Sequence, residues 1–147
     1  MMCRPQERAF TIIELVIVMM IIGVLAAFAT PHLGRWLATI GVDTAAREIA
    51  TELQLGKMRA ISQNARYRIS FNAASNTYQM QKEVAGAWQD VGHPKPLPTG
   101  VDLVSATANP VFQTLGTAPG GTTITLRNAQ GRTRKVTVSF AGRVQVE

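Results

Sequence analysis

Two groups of residues in this 147-residue chain have the types and spacing to do chemistry. The first is Glu14, which sits in Phe10-Thr11-Ile12-Ile13-Glu14 just before a wholly apolar run from Leu15 to Ala29. A carboxylate near mid-bilayer costs roughly 2.5–3.5 kcal/mol, and less toward the interface. A plain anchor or export signal gains nothing from carrying one. The acid calls for a cation on another molecule, which points to a subunit stored in a membrane and then assembled helix against helix. The second group is basic: Gly131-Arg132-Thr133-Arg134-Lys135, with Arg127 and Arg143 nearby in sequence. Arginines on a rigid turn can contact phosphates, each contact releasing counterions and making affinity fall with salt. The alternative is a solvated turn whose charges keep a sheet edge from aggregating, and the sequence alone favours it.

Catalysis finds little support. His32 and His93 stand alone, no Ser-His-Asp arrangement can be built from the spacing, and Asp43, Asp90 and Asp102 are scattered. No calcium loop is evident either. The expectation is a protein that is not an enzyme and carries no cofactor and no metal. Cys3, upstream of the apolar run, is the one cysteine, so no disulfide framework exists. The formal charge of +6 favours anionic surfaces as partners.

These residues must be positioned by a helix and a sheet. Arg4 and Arg8 precede the apolar run, so the positive-inside rule holds residues 1–9 in the cytoplasm and sends the rest outward. Residues 10–30 make about 31 Å of helix, enough to span a bilayer. A competing reading is a secretory signal cut after Ala29 in Ala27-Phe28-Ala29; it leaves Glu14 unexplained. Pro31 ends or bends this segment. Residues 31–64 continue as an amphipathic helix with Leu33, Leu37, Ile40, Val42, Ala46, Ile49, Leu53 and Ala60 on its apolar stripe. Gly34, Gly41 and Gly56 mark breaks or close packing.

Strands fill residues 65–147. Tyr67, Ile69 and Phe71 alternate with polar residues, 72–76 is a turn, and Thr77 to Glu83 returns as the hairpin partner. Ala87 to Val91, Val101 to Val104, Val111 to Gln113, Thr122 to Leu126, Lys135 to Phe140 and Val144 to Val146 are further strands. Residues 92–100, with three prolines, form a rigid irregular link. The fold class is α+β: a long N-terminal helix, membrane-spanning in its first half, packed through its second half on an antiparallel sheet. Roughly 85 residues of sheet without disulfides are marginal alone, so the helix stripe must supply much of the core.

Ala9-Phe10-Thr11-Ile12-Ile13-Glu14 resembles the processing site of type IV pilins and type II secretion pseudopilins. The resemblance implies that residues 1–9 are a leader, cut by a prepilin peptidase between Ala9 and Phe10. Phe10 is then N-methylated, Glu14 is the fifth mature residue, and Pro31 stands where such subunits carry a helix-kinking proline. Glu14 would neutralise the N-terminal amine of a neighbouring subunit. Ala9 replaces the usual glycine; it is still small, so slower cleavage is the expected consequence.

The order Leu97-Pro98-Thr99-Gly100-Val101, Phe112, Gly116, Thr123 to Leu126, Val136 to Ser139 and Gly142-Arg143-Val144 is similar to the GspH/FimT group of minor pilins and pseudopilins. That resemblance implies a sandwich-like pair of sheets on the helix and a rare subunit at or near a filament tip, initiating or capping a pilus or secretion pseudopilus. Its partners would be other pilin subunits, the prepilin peptidase and the inner membrane, with the C-terminal domain in the periplasm before assembly. The calcium loop of major pseudopilins is replaced here by a basic C-terminal third. Some FimT-like minor pilins bind DNA through a Gly-Arg-x-Arg motif near the C-terminus. The positional match, Gly142-Arg143-Val144-Gln145, keeps only Arg143, while the literal match is Gly131 to Arg134. The DNA-binding alternative therefore rests on Arg132, Arg134, Lys135 and Arg143, with Lys57, Arg59, Arg66 and Arg68 as a further basic cluster.

Overall fold

The computed structural model describes the backbone of residues 11–147, and the side chains of residues 11–27 and 40–147. Ala9 and Phe10 lie outside it. The chain divides into two compact units, Met1–Trp36 and Leu37–Glu147. Helix α1, Ile12–Ser62, contributes to both. It does not end at Pro31, and neither Gly34, Gly41 nor Gly56 interrupts it. The Pro31 side chain is outside the described residues.

In the first unit, every large apolar side chain from Ile12 to Leu25 is exposed, from 43% at Val18 to 84% at Ile12. The residues cover all faces of the helix, so this segment has no preferred buried side. Among the described residues no helix is long and apolar enough to cross a membrane. The expected span of residues 10–30 includes Phe10 and positions 28–30, whose side chains are not among them.

The second unit carries nine strands: β1 (Tyr67–Asn72), β2 (Thr77–Val84), β3 (Ala87–Asp90), β4 (Lys95–Pro96), β5 (Val101–Ala106), β6 (Val111–Phe112), β7 (Thr122–Asn128), β8 (Thr133–Val138) and β9 (Val144–Val146). They form two antiparallel sheets, one in the order β3-β2-β1-β6 with β4 also on β2, the other in the order β5-β7-β8-β9. The proline-rich link is therefore not wholly irregular: Lys95 and Pro96 pair with Tyr78 and Thr77. Proline is tolerated there because a two-residue edge strand needs few donors.

One core holds the unit together. Val42, Ala45, Ala46, Ile49, Leu53 and Ala60 of α1 are buried with Tyr67, Ile69, Tyr78, Met80 and Phe112 of the first sheet and Leu103, Ile124, Leu126, Val136 and Val138 of the second. The small alanines let both sheets approach the helix closely. The expected stripe is right at Val42, Ala46, Ile49, Leu53 and Ala60 and wrong at Ile40, which is 40% exposed; the Leu33 and Leu37 side chains lie outside the described residues. Two tyrosine hydroxyls tie the first sheet to the helix and to the turn that follows it: Tyr78 donates to Glu48 Oε1 at 2.9 Å and Tyr67 to Gln63 Oε1 at 2.7 Å. Burial, reinforced by the Glu48 carboxylate, pushes the Tyr78 phenol well above its ordinary pKa of 10.0.

The helix stops where its pattern fades. Asn64 takes a left-handed conformation (φ 47°), the Ala65 amide donates to the Ala60 carbonyl at 3.2 Å and the Asn64 amide to that of Ile61 at 3.4 Å. These are the paired bonds of a Schellman end, with asparagine in the position glycine usually takes.

Two glycines give opposite predictions. A Cβ on Gly56 would meet Ile69, Phe112 and Met80 at 3.5 to 3.8 Å, ordinary contact distance within a helix. Gly56→Ala should therefore raise stability by about 0.5–1 kcal/mol through helix propensity. Gly142 has φ +68°, and a Cβ there would lie 2.0 Å from the Gly116 carbonyl oxygen. Gly142→Ala should lower stability by about 2–4 kcal/mol. Thermal unfolding of the full-length variants checks both signs.

Candidate functional site

Glu14 occupies the first turn of α1. Its backbone amide donates to Thr11 Oγ1 at 3.4 Å, and the Leu15 amide donates to the Thr11 carbonyl at 3.2 Å, so Thr11 is the N-cap. Thr11-x-x-Glu14 has the spacing of a capping box. That signal was readable in the sequence and adds a local reason for an acid here, because the helix N-terminus favours negative charge. The Glu14 side chain is exposed, and among the described residues its carboxylate makes no ion pair. Geometry leaves it available to a cation from another molecule.

The basic C-terminal residues are placed differently from the expected single turn. The turn between β7 and β8 is confined to 129–132, where the Asn128 side-chain oxygen accepts the Gln130 and Arg132 amides at 3.1 and 2.8 Å. Thr133, Arg134 and Lys135 already belong to β8. Strand alternation then puts Arg134 and Lys135 on opposite faces of the sheet. Arg134 turns toward the helix and forms a hydrogen-bonded ion pair with Asp43. Arg132 stands 4.0 Å from the same carboxylate. Lys135 pairs in register with Glu147 through mutual backbone hydrogen bonds, and Arg127 is the register partner of Asp102.

Arg143 lies beyond the other end of β8, in the turn to β9. Its amide donates to Ser139 Oγ at 3.2 Å, and the neighbouring Gly142 carbonyl accepts from Lys57 Nζ at 3.0 Å. Asp43 and Lys57 are separated by roughly 20 Å of helix, so Arg134, paired with Asp43, and Arg143, next to the Gly142 carbonyl that Lys57 holds, belong to different ends of the unit. The structure brings Arg132 and Arg134 together over Asp43; it does not bring Arg143 to them. Asp43 is the functional neighbour that sequence reading missed, since no local pattern links residues 91 apart.

Two residues of the further basic cluster, Arg66 and Arg68, are likewise engaged. Arg66 pairs with Glu83 at 2.9 Å, and the Arg68 guanidinium stacks 4.4 Å from the Trp88 ring centroid while its Nε donates to Gln81 at 2.6 Å. Among the described residues no cluster of three or more His, Cys, Asp or Glu could hold a metal ion.

With this geometry in hand, comparison with known proteins places the chain. Its residues 45–142 match the profile of the type II transport protein GspH, and residues 4–30 match the prokaryotic N-terminal methylation motif. The chain belongs to the GspH family of type IV pilin-like minor subunits. Among solved structures, the minor pseudopilin EpsH from the type 2 secretion system of Vibrio cholerae superposes with a TM-score of 0.64 at 13% identity, covering 73% of this chain and 96% of that one. The type IV minor pilin FimU of Pseudomonas aeruginosa superposes with a TM-score of 0.60 at 19% identity, covering 72% and 87%. No curated protein matches. The two structural likenesses confirm the expected α+β pilin-like fold.

The Arg134 guanidinium, chiefly by its hydrogen bond, holds the Asp43 carboxyl below its ordinary pKa of 3.8. A depressed carboxyl contributes stability above its unfolded pKa and loses it as pH falls through the folded value. Wild-type melting temperature should therefore drop more steeply than that of Asp43→Asn between about pH 5 and pH 2. Parallel melting curves across that range would show that the pair contributes nothing.

Proposed function

We propose that this protein is a minor pseudopilin or pilin whose N-terminal helix is held in the inner membrane and then passes into a filament, which the subunit initiates or caps. The observation that carries this reading is the helix over residues 12–25, apolar on every face and exposed on every face, with one carboxylate in its first turn. Such a surface is stable only in lipid or against other helices, and the same helix suits both. The family match over residues 45–142 and the methylation motif over 4–30 support it.

In this reading the leader ends at Ala9, a prepilin peptidase releases Phe10, and the new terminus is methylated. Before assembly the second unit stands in the periplasm on a single-pass helix. On assembly, Glu14 of one subunit meets the terminal ammonium of the next. Both charges leave water, so each is tolerated because the other is present. Pro31 would let the helix bend between its filament and domain portions.

The DNA-binding alternative is left with little surface. Arg134 is neutralised by Asp43, Arg143 is at the far end of β8, and Arg127 and Lys135 each face an acidic register partner. Arg132 remains as the exposed cation of the turn, 4.0 Å from the same Asp43.

Intact mass of the mature protein tests the processing: the expected species begins at methylated Phe10, and a species beginning at Thr30 would exclude assembly through this helix. Glu14→Ala should still insert and still be cut, yet fail to co-purify with neighbouring subunits after cross-linking in cells. Normal recovery in filaments would remove the charge-pairing role. For DNA, replacing Arg132 and Arg134 by alanine should leave the gel-shift affinity of the full chain and its salt slope unchanged; a drop of roughly one unit in slope per residue would restore the alternative.

A further inference from the structure

A cleft of about 240 Å³ opens in the second unit between the last turns of α1, strand β2 and the 91–95 link. Its apolar walls are Leu55, Met80 and Val91. One side is closed by the Lys95–Glu52 ion pair at 2.7 Å, and His93 stands exposed at the mouth. Arg59 enters this cleft half-buried. Its one side-chain hydrogen bond among the described residues runs from Nη1 to the Met80 sulfur at 3.2 Å.

That arrangement is incomplete for an arginine. A guanidinium offers five N–H donors in a rigid fork, and a thioether sulfur is a weak acceptor. The neighbouring charges do not supply what is missing. Glu52 is already held by Lys95, and Glu48 accepts the Tyr78 hydroxyl at 2.9 Å. Arg59 is thus a cation without a carboxylate in a pocket with apolar walls. The complement is a planar anion able to take two parallel N–H bonds, joined to a few methylenes that cover Leu55 and Val91.

We infer that the Arg59 cleft binds a carboxylate carried on a short apolar stem, the guanidinium clamping the carboxylate while the stem lies against Leu55, Met80 and Val91. Two sources share this chemistry: a glutamate side chain of another polypeptide and a free short-chain carboxylic acid. The site lies apart from Glu14 and from the Asp43 pair, and it does not depend on the filament reading.

The test uses full-length protein labelled with ¹³C at its methionine methyl groups, with the Met80 signal assigned by Met80→Leu. Butyrate, its neutral amide butyramide, and a blocked Ala-Glu-Ala peptide are titrated separately. Saturable millimolar shifts of Met80 with butyrate, and none with butyramide, are expected. Arg59→Met should abolish them. Arg59→Lys, which keeps charge and stem and so preserves the fold, should weaken binding by roughly fivefold, since the fork is lost. Tighter binding of the peptide than of butyrate identifies a protein side chain as the source, and binding of butyrate alone identifies a free acid; both support the site. Equal shifts with butyramide, no saturation with either acid, or full retention of binding in Arg59→Met would overturn it.

Discussion

The apolar stripe of α1 from Val42 to Ala60 is shared by two sheets that have no common strand ladder. Tyr67, Ile69 and Phe112 reach it from one side, Leu126, Val136 and Val138 from the other. Neither sheet has enough apolar surface of its own, and no disulfide is available to substitute. Removing the helix would leave two unsupported ribbons. This is why the stripe uses alanine at positions 45, 46, 50 and 60: bulk there would push the sheets apart, whereas a methyl lets both close on the axis. Folding of the second unit and possession of the Val42 to Ala60 stretch of α1 are consequently one property of the chain.

Polar contacts then fix how the layers are registered. Asn76, in a left-handed turn conformation (φ 50°), donates to Asp102 Oδ1 at 2.9 Å and accepts the Leu103 amide at 3.1 Å, fastening the β1–β2 hairpin to β5 across the two sheets. At one end of β8, Asp43 of the helix holds Arg134; at the other, Lys57 holds the Gly142 carbonyl. β8 is thus pinned to α1 at two points, and the hydrophobic contacts between them have one alignment. Arg132, Arg134 and Lys57 are drawn into such structural pairings, so these cations are not presented together as one continuous anion-binding face.

Much of this was legible in the residues. The alternation Tyr67, Ile69, Phe71, the loop 72–76 and the return strand are local patterns, and local patterns survive into the fold. So does the three- and four-residue spacing of the stripe. Ile40 departs from the stripe because periodicity gives a face but not where along the helix the sheets begin to cover it. Gly131 is a strong turn signal and draws Arg134 into a turn on local grounds; the strand starts at Thr133 because β7 continues to Asn128 and sets the pairing from across the sheet. The Lys95–Pro96 pairing and the Asp43 contact escaped for the same reason, being made between segments distant in sequence. Thr11 as N-cap is a local signal too, carried by the Thr11-x-x-Glu14 spacing.

The near-contact of Gly142 with the Gly116 carbonyl has a bearing on how the protein can be labelled. Two backbones meet there without side chains between them, so the 113–121 loop and the β8–β9 corner form a single rigid knot and leave no slack for extra residues. By contrast, the tip of the first hairpin at 73–75 is solvent-facing and held by contacts within its own turn, Asn72 Oδ1 accepting the Ala74 and Ser75 amides and Ser75 Oγ bonding to Thr77 Oγ1. A tag or fluorophore loop belongs at that tip, where a few added residues displace nothing but water.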